Sequence, residues 1–576
     1  MNVKIRNSFP LALGGNLLAL LLFMMISAGV SFLLHLPVTA TALPLSMILA
    51  GGFTYAFIAR GHTFLWSFLS SILIVILCCL LSSLIIDHSS DAYYYHYNAV
   101  IMMAEGWNPT AEPPFVDSLW NQHYAKGMEM MQTVIFTFTS NLQSTKSLNL
   151  ILILSAALLT WFTLGEVFTG ISGRWKVALC LMVTFNPVVI CQIHTAYNDH
   201  MLWSETVLTC CCFLLLWKNS RNLMTYLLLM MVLTLGINSK FTHFYYLGAG
   251  CMFYAVWCLC ARRYDILLSG MLTVTGAIIM GAFIVGYNPY ITNTVGYGNP
   301  FYPLIGSDVD IMTSNTPQML QGCNRFTSFL MTLFSTTNHP WAYFRGSGFT
   351  LYDCVQSYTV DSRINGFGLL MAPTLICGLI LMLCNRASGR WWIVYFFFLI
   401  LGFTFEQSWW ARYVPFLWAL VIIPVLNYAV RNHKDSKLRR RIKRSMAYLI
   451  LALVFLNASL ALTFSLCAQY SYTSYINYIS GAQKESGRPI KVANVNIAFQ
   501  QSLKEQGIKY LECDYNSITK EPDQTFLIYR FGHQDQDVVA LLPAEEYPEL
   551  YRKPETLGEI IRDYPVHSYK NFASTE

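Results

Sequence analysis

Charge is what this chain has least of: only 12% of its 576 residues are Asp, Glu, Lys or Arg, about half the quarter usual for a soluble globular protein. A cleavable leader is not expected either. The first apolar run is too long for one and passes into a second without a small-residue cleavage site. No internal repeat and no nucleic-acid motif is visible, and the C-terminal stretch has no nucleophile motif, zinc spacing or phosphate loop. These absences exclude a soluble enzyme and a nucleic-acid-binding protein. What is present is apolar, with 55% hydrophobic residues including 34 Tyr, 37 Phe and 14 Trp. The composition is that of a polytopic membrane protein.

Apolar runs of about 17 to 25 residues, the length that crosses about 30 Å of hydrocarbon, mark the spans. They fall near 11–34, 42–59, 63–86, 147–169, 177–194, 201–217, 222–238, 242–260, 265–287, 368–384, 391–407, 414–430 and 446–467. The expected fold class is therefore a membrane all-α bundle of about thirteen helices. Nineteen Lys and Arg residues fall on alternate connections, from Lys4 and Arg6 through Arg60, Arg174 and Arg262 to a cluster between Arg431 and Arg444. The positive-inside rule makes that face cytoplasmic. The N-terminus is then inside, with 87–146, 195–200, 288–367 and 408–413 as outer loops. The expected domains are 1–467 in the membrane and 468–576 outside it. The second region mixes charge with short alternating runs such as KVANVNIAF, which predicts a small extracytoplasmic α/β domain with an accessory role.

The stretch DHSSDAYYYHYNAVIMMAEGWNP, residues 87–109, follows the third apolar run. Tyr93, Tyr97, Val100, Ile101 and Ala104 share one helical face, which predicts a short interfacial helix. Asp87, His88, Asp91 and His96 then stand at an apolar boundary, where ionisable groups are functional candidates. Capping of the helix by Ser89, Ser90 or Asp91 is the simpler alternative.

The other outer segments carry fewer signals. HTAYNDHMLW holds Asp199 and His200, with a helix cap as the plain alternative. GINSKFTHFYY sets Lys240 on the outer face against the charge bias, and its Gly236 and Asn238 predict an unwound junction. EQSWWARYVPF does the same with Arg412, behind Trp409 and Trp410, which suit an interfacial aromatic belt. An arginine there needs a negative partner: a lipid headgroup, Glu406 or a bound phosphate. In the first outer loop His123 and Lys126 are expected to be solvated. In the third, GSDVD offers two aspartates one residue apart. Thirteen of the 16 cysteines lie in or beside apolar runs; Cys323, Cys354 and Cys513 do not, and a bridge between Cys323 and Cys354 stays open. Asp87, His88, Asp91, His96, Asp199 and His200 supply enough ligands for a divalent metal but match no specific metal spacing.

Taken together, SDAYYYHY with a following GWNP, the YND of the next outer loop, NSKFT, GNPFYP and WWARY resemble the GT-C superfamily of integral-membrane glycosyltransferases. The likeness runs from the third to the twelfth span and is nearest to bacterial members. It implies an inner-membrane, cell-envelope enzyme that moves a sugar, with inversion, from a polyprenyl-phosphate donor to a saccharide, lipid or protein acceptor. By position Asp91 matches the family's catalytic base, with Asp87 as the alternative and Asp199 and His96 beside them. Lys240, Arg412, His200 and Tyr95 would bind substrate. One departure stands: the first acidic loop follows the third span here rather than the first, through either an N-terminal addition or a smaller span count. The rival readings are a transporter or flippase of lipid-linked saccharides and a non-catalytic scaffold.

Overall fold

The computed structural model describes residues 7–116, 118–305, 315–337, 339, 350–431, 436–518, 525–529, 538–543 and 545–551. The GSDVD aspartates and the C-terminal 25 residues lie outside them. The chain is mostly helical. Among the described residues seven helices are long and apolar enough to cross a membrane, and five shorter apolar helices accompany them.

The first of the seven, Phe9–Leu33, is the centre of the bundle and is buried around most of its circumference. Its one buried polar side chain, Asn16, is satisfied by neighbours: Nδ2 donates to Ser71 Oγ (2.6 Å) and Oδ1 accepts from Thr54 Oγ1 (3.0 Å). Gly14 lets the helix come close to Ser147–Val167, where Ser155 Oγ donates to its carbonyl at 2.8 Å. This helix is not a peripheral addition. The helices that follow, Ala42–Phe57 and Gly61–Ser83, keep broad exposed faces.

Three expectations change. The run 177–194 is not one helix but two, Gly173–Thr184 and Pro187–Gln192. Asn186 accepts from the N–H of Val188 at 3.1 Å and Pro187 has no N–H, so a new helix starts there. The stretch 87–146 is not a loop over the surface. It contains Tyr97–Ala104 and the helix Gly127–Thr139, nine of whose residues are buried. Finally, the last apolar helix does not stop near 467. Lys437–Ser486 runs for 50 residues to a left-handed Gly487, a length of about 75 Å against roughly 30 Å of hydrocarbon. The expected domain boundary falls inside it.

Beyond Gly487 lies a four-stranded sheet, β1 (Ile490–Ala493), β2 (Tyr510–Glu512), β3 (Thr525–Tyr529) and β4 (Val538–Leu541), in the order β2-β1-β4-β3. β1 and β2 are parallel and joined through the helix Ile497–Glu505; the other pairings are antiparallel. That helix docks on the segment after Asp91. Phe499 stacks on Tyr93 at 4.3 Å, Asn496 donates to the Tyr93 carbonyl at 2.8 Å, and the N–H of Ala498 donates to Asn98 at 3.1 Å. The apolar face predicted to lie in the membrane interface is therefore covered by protein.

Candidate functional site

Five charged side chains from five separate segments meet at one end of the bundle. Arg412 is at their centre, on the short turn Ala411–Tyr413. Its Nη1 donates to Asp91 Oδ2 at 3.0 Å and to Asp199 Oδ2 at 3.5 Å, and its Nε lies 3.2 Å from Asp361 Oδ1. Lys240 Nζ donates to the other oxygen of Asp199 at 2.5 Å. Beneath the guanidinium lies the face of Trp410, 4.1 Å away, itself stacked on Trp409 at 5.2 Å. Both tryptophans are buried, so they form the floor of this site rather than an interfacial belt. The negative charge opposite Arg412 belongs to three of the protein's own carboxylates.

Each member is placed by a local irregularity. Asp91 precedes one π-helical turn, Ala92–His96, and occupies the N-cap position without capping: its carboxylate goes to Arg412. A π turn inserts a residue into a helix and is frequent at functional sites. Lys240 is the sole extended residue (φ −166°, ψ 150°) between Leu223–Ser239 and Phe241–Cys260. The expected unwinding at Gly236 and Asn238 does not occur; both are helical and buried. Asp199 does not cap Met201–Lys218 either, since both its oxygens are held by cations.

Exposure separates the three acids. Asp199 is buried, whereas the side chains of Asp91 and Asp361 retain 26% and 29% of their surface. They form the open edge of the cluster, and half-buried Tyr95 feels the charges of Asp91, Asp199 and Arg412. Burial raises the Tyr95 phenol well above its usual range, reinforced by Asp91 and Asp199. Burial would raise Asp199 too, but Lys240 and Arg412 outweigh it and hold the group below the ordinary aspartate value. Asp361 goes the other way. Burial pushes it up to about 6; Arg412 opposes this and Asp91 adds to it. Its Oδ1 has no aligned hydrogen bond despite the short approach of Arg412 Nε. Arg363, whose Nε lies 3.8 Å from Asp361 Oδ2, also opposes the rise, and Asp199 adds to it.

The remaining candidates lie elsewhere. Asp87 is fully buried, accepting from the N–H of Ser89 (2.8 Å), Tyr97 Oη (3.0 Å) and the N–H of Ala196 (2.7 Å). It ties the 87–97 segment to the 195–200 loop. His96 Nδ1 meets Glu129 Oε1 at 2.5 Å on the helix Gly127–Thr139. His200 is buried with both ring nitrogens unpartnered, and burial lowers it to about 3, so it is neutral. His123 and Lys126, expected in solvent, are buried: His123 Nδ1 lies 3.0 Å from Asn293 Oδ1, and Lys126 donates to Asn288 Oδ1 at 2.5 Å, its ammonium lowered by burial to about 7. No three His, Cys, Asp or Glu side chains among the described residues are grouped as a metal requires. Cys323 and Cys354 are both free thiols.

Asp361 is the member the sequence reading missed. Its signal was weaker: it stands ten residues before the apolar helix Met371–Cys384, whereas Asp87 and Asp91 closely follow Gly61–Ser83 and Asp199 closely precedes Met201–Lys218.

Fold and site together define a polytopic helical membrane protein with a cluster of three acids around Arg412 and Lys240, and Arg363 beside Asp361, at one end of its bundle. No known protein family, no curated protein and no solved structure matches the chain.

The Asp361 proton has a measurable consequence. A carboxyl raised in the folded state stabilises the fold fully below its unfolded value, and that contribution is lost as pH rises through the folded value. The window runs from 3.8 to about 6. Asp361→Asn, which mimics the neutral acid at every pH, should match the parent's thermal midpoint below about pH 4 and exceed it above about pH 6. Parallel curves for the two proteins across that range would show that Asp361 does not titrate there.

Proposed function

We propose that the chain is an inverting membrane glycosyltransferase that uses a polyprenyl-phosphate sugar at the end of the bundle carrying Asp91, Asp199, Asp361, Lys240 and Arg412. The observation that carries this reading is the convergence of those five groups. A transfer of this kind needs a carboxylate to take the proton of an acceptor hydroxyl and a fixed cation to meet charge on the leaving phosphate. Asp91 is the partly open carboxylate suited to the first task. Arg412 and Lys240 supply the second, and the flanking apolar helices give a lipid tail its route. Asp199 holds both cations in place, and Tyr95 lines the approach. The full reading keeps thirteen crossings, with the broken pair Gly173–Thr184 and Pro187–Gln192 as the fifth, and sets the cluster on the extracytoplasmic face of an inner membrane.

The direct experiment is transfer from a defined polyprenyl-phosphate sugar by the purified full chain, with product formation and donor hydrolysis both followed. Neither product nor hydrolysis across a panel of sugars and acceptors would sink the reading. Orientation is tested separately: a reporter fused after Glu576 should report the outer side, and one inserted near Lys437 the inner side. A cytoplasmic C-terminus would remove the cluster from the outer face.

One observation favours a second reading, a transporter or flippase of lipid-linked saccharides. Glu205 and His243, both fully buried within helices, meet at 2.8 Å, and Ser239 donates to Glu205 at 2.8 Å. Paired ionisable groups inside the membrane mark ion and proton routes in transporters. Under the enzyme reading this pair only orders the helices behind Lys240.

A further inference from the structure

An apolar cavity inside the bundle is used by none of this chemistry. It measures about 590 Å³ and lies among Ser147–Val167, Met201–Lys218, Phe241–Cys260, Gly389–Thr404 and Ala419–Ala429, inside the range of about 300–1,000 Å³ typical of ligand sites. Its walls are aliphatic and aromatic, and Arg390 is the one charged side chain that lines it. Arg390 stands with Trp217 and Trp391 at the end of the bundle away from the charged cluster. Trp217 closes the helix that Asp199 precedes, and Arg390 opens the helix whose far end leads to Arg412. The 18 residues of Met201–Lys218 set the two ends about 27 Å apart.

Three further features suit a lipid. Arg390 is exposed and has no ion pair among the described residues. Tryptophans flank it where headgroups begin, the level at which indole rings collect in membranes. Deeper in, Gly250 lines the cavity, and a Cβ placed on it meets nothing within 4 Å, so the wall has open space in front of it. Charge selects the occupant. A lone guanidinium over an apolar chamber fits a phosphate with a net negative charge, whereas a zwitterionic headgroup brings a cation of its own. We propose that the cavity holds an acyl chain of an anionic glycerophospholipid from the leaflet opposite the charged cluster, its phosphate on Arg390. The site lies away from Asp91, Asp199 and Arg412 and does not depend on the transfer reaction.

Native mass spectrometry of the full chain, released from detergent micelles containing equimolar phosphatidylglycerol and phosphatidylcholine, tests it. The parent should retain one phosphatidylglycerol with a preference of about tenfold, the discrimination of a single charge-assisted contact of roughly 1.4 kcal/mol. Gly250→Leu, which pushes a branched side chain into the chamber, should weaken retention of the lipid, while Gly250→Ala keeps it. Arg390→Gln should lose the preference and Arg390→Lys should keep most of it; this pair decides the matter if Gly250→Leu does not fold. Equal retention of both lipids by the parent, or an undiminished preference in Arg390→Gln, would overturn the proposal. Displacement of the bound lipid by equimolar polyprenyl phosphate would overturn it in favour of a donor tail.

Discussion

Asp91→Asn is expected to reduce sugar transfer by about 10² to 10⁴, the usual contribution of a general base, while the protein still inserts and folds. Folding should survive because Asp91 is not what holds its segment. Phe499 on Tyr93, Asn496 on the Tyr93 carbonyl and the Asp87 tie to Ala196 remain in the variant, and Arg412 keeps Asp199 and Asp361. Asparagine preserves size and one acceptor oxygen, so the loss isolates the proton. Asp87→Asn is the control that separates base from brace. It puts an amide where a carboxylate accepts three hydrogen bonds, and a misplaced buried donor costs about 1–3 kcal/mol. Its activity should therefore fall together with its thermal midpoint. If Asp91→Asn is as active as the parent, the base is another group; Asp361, the other open carboxylate of the cluster, is the one to test next. Full activity in both Asp91→Asn and Asp361→Asn would end the enzyme reading.

How much of this could be read from the sequence depends on the range of the forces involved. Span-length apolar runs are local and mostly appear as helices; the exception at 177–194 carries its own sign in Asn186-Pro187. The two cations set against the charge bias, Lys240 and Arg412, stand out for the same reason: an isolated positive charge on the outer side is a local anomaly. What sequence could not supply is the pairing. Asp91 and Arg412 are 321 residues apart, and Asp199 and Arg412 are 213 apart. A boundary carboxylate looks the same whether it caps a helix, braces a loop as Asp87 does, or meets a guanidinium as Asp91 does. Burial failed in the same way. An outer-loop position alone suggests an interfacial belt for Trp409 and Trp410 and a solvated role for His123 and Lys126. Each is covered by a segment remote in sequence, such as Asn293 over His123 and Leu320 and Met331 in the cluster around Trp410.

Arg412→Lys should cost nearly as much as Arg412→Ala, and the structure changes the reason. From the sequence alone, the reason is that a planar guanidinium fork can meet a phosphate in a way a lysine cannot reproduce. In the folded chain the guanidinium already spans three carboxylates, Nη1 to Asp91 and Asp199 and Nε beside Asp361, while resting on Trp410. A single ammonium on a flexible stem cannot reach all three from one position. Either variant then leaves Asp199 with Lys240 alone and leaves Asp91 and Asp361 without their shared cation. Two contributions can be told apart by measuring kcat and KM for a defined polyprenyl-phosphate sugar across pH. If Arg412 acts by placing the carboxylates, its loss lifts Asp361 further above about 6, because the stronger of the two cations that oppose burial is gone and only Arg363 remains; the pH profile then moves upward with little change in donor KM. If Arg412 also meets the leaving phosphate, the contact strengthens as charge develops there, so kcat falls at every pH and KM for the donor rises. A headgroup-anchoring arginine predicts neither, since lysine keeps the point charge. Unchanged kinetics in both variants would leave Lys240 as the cation at the leaving group.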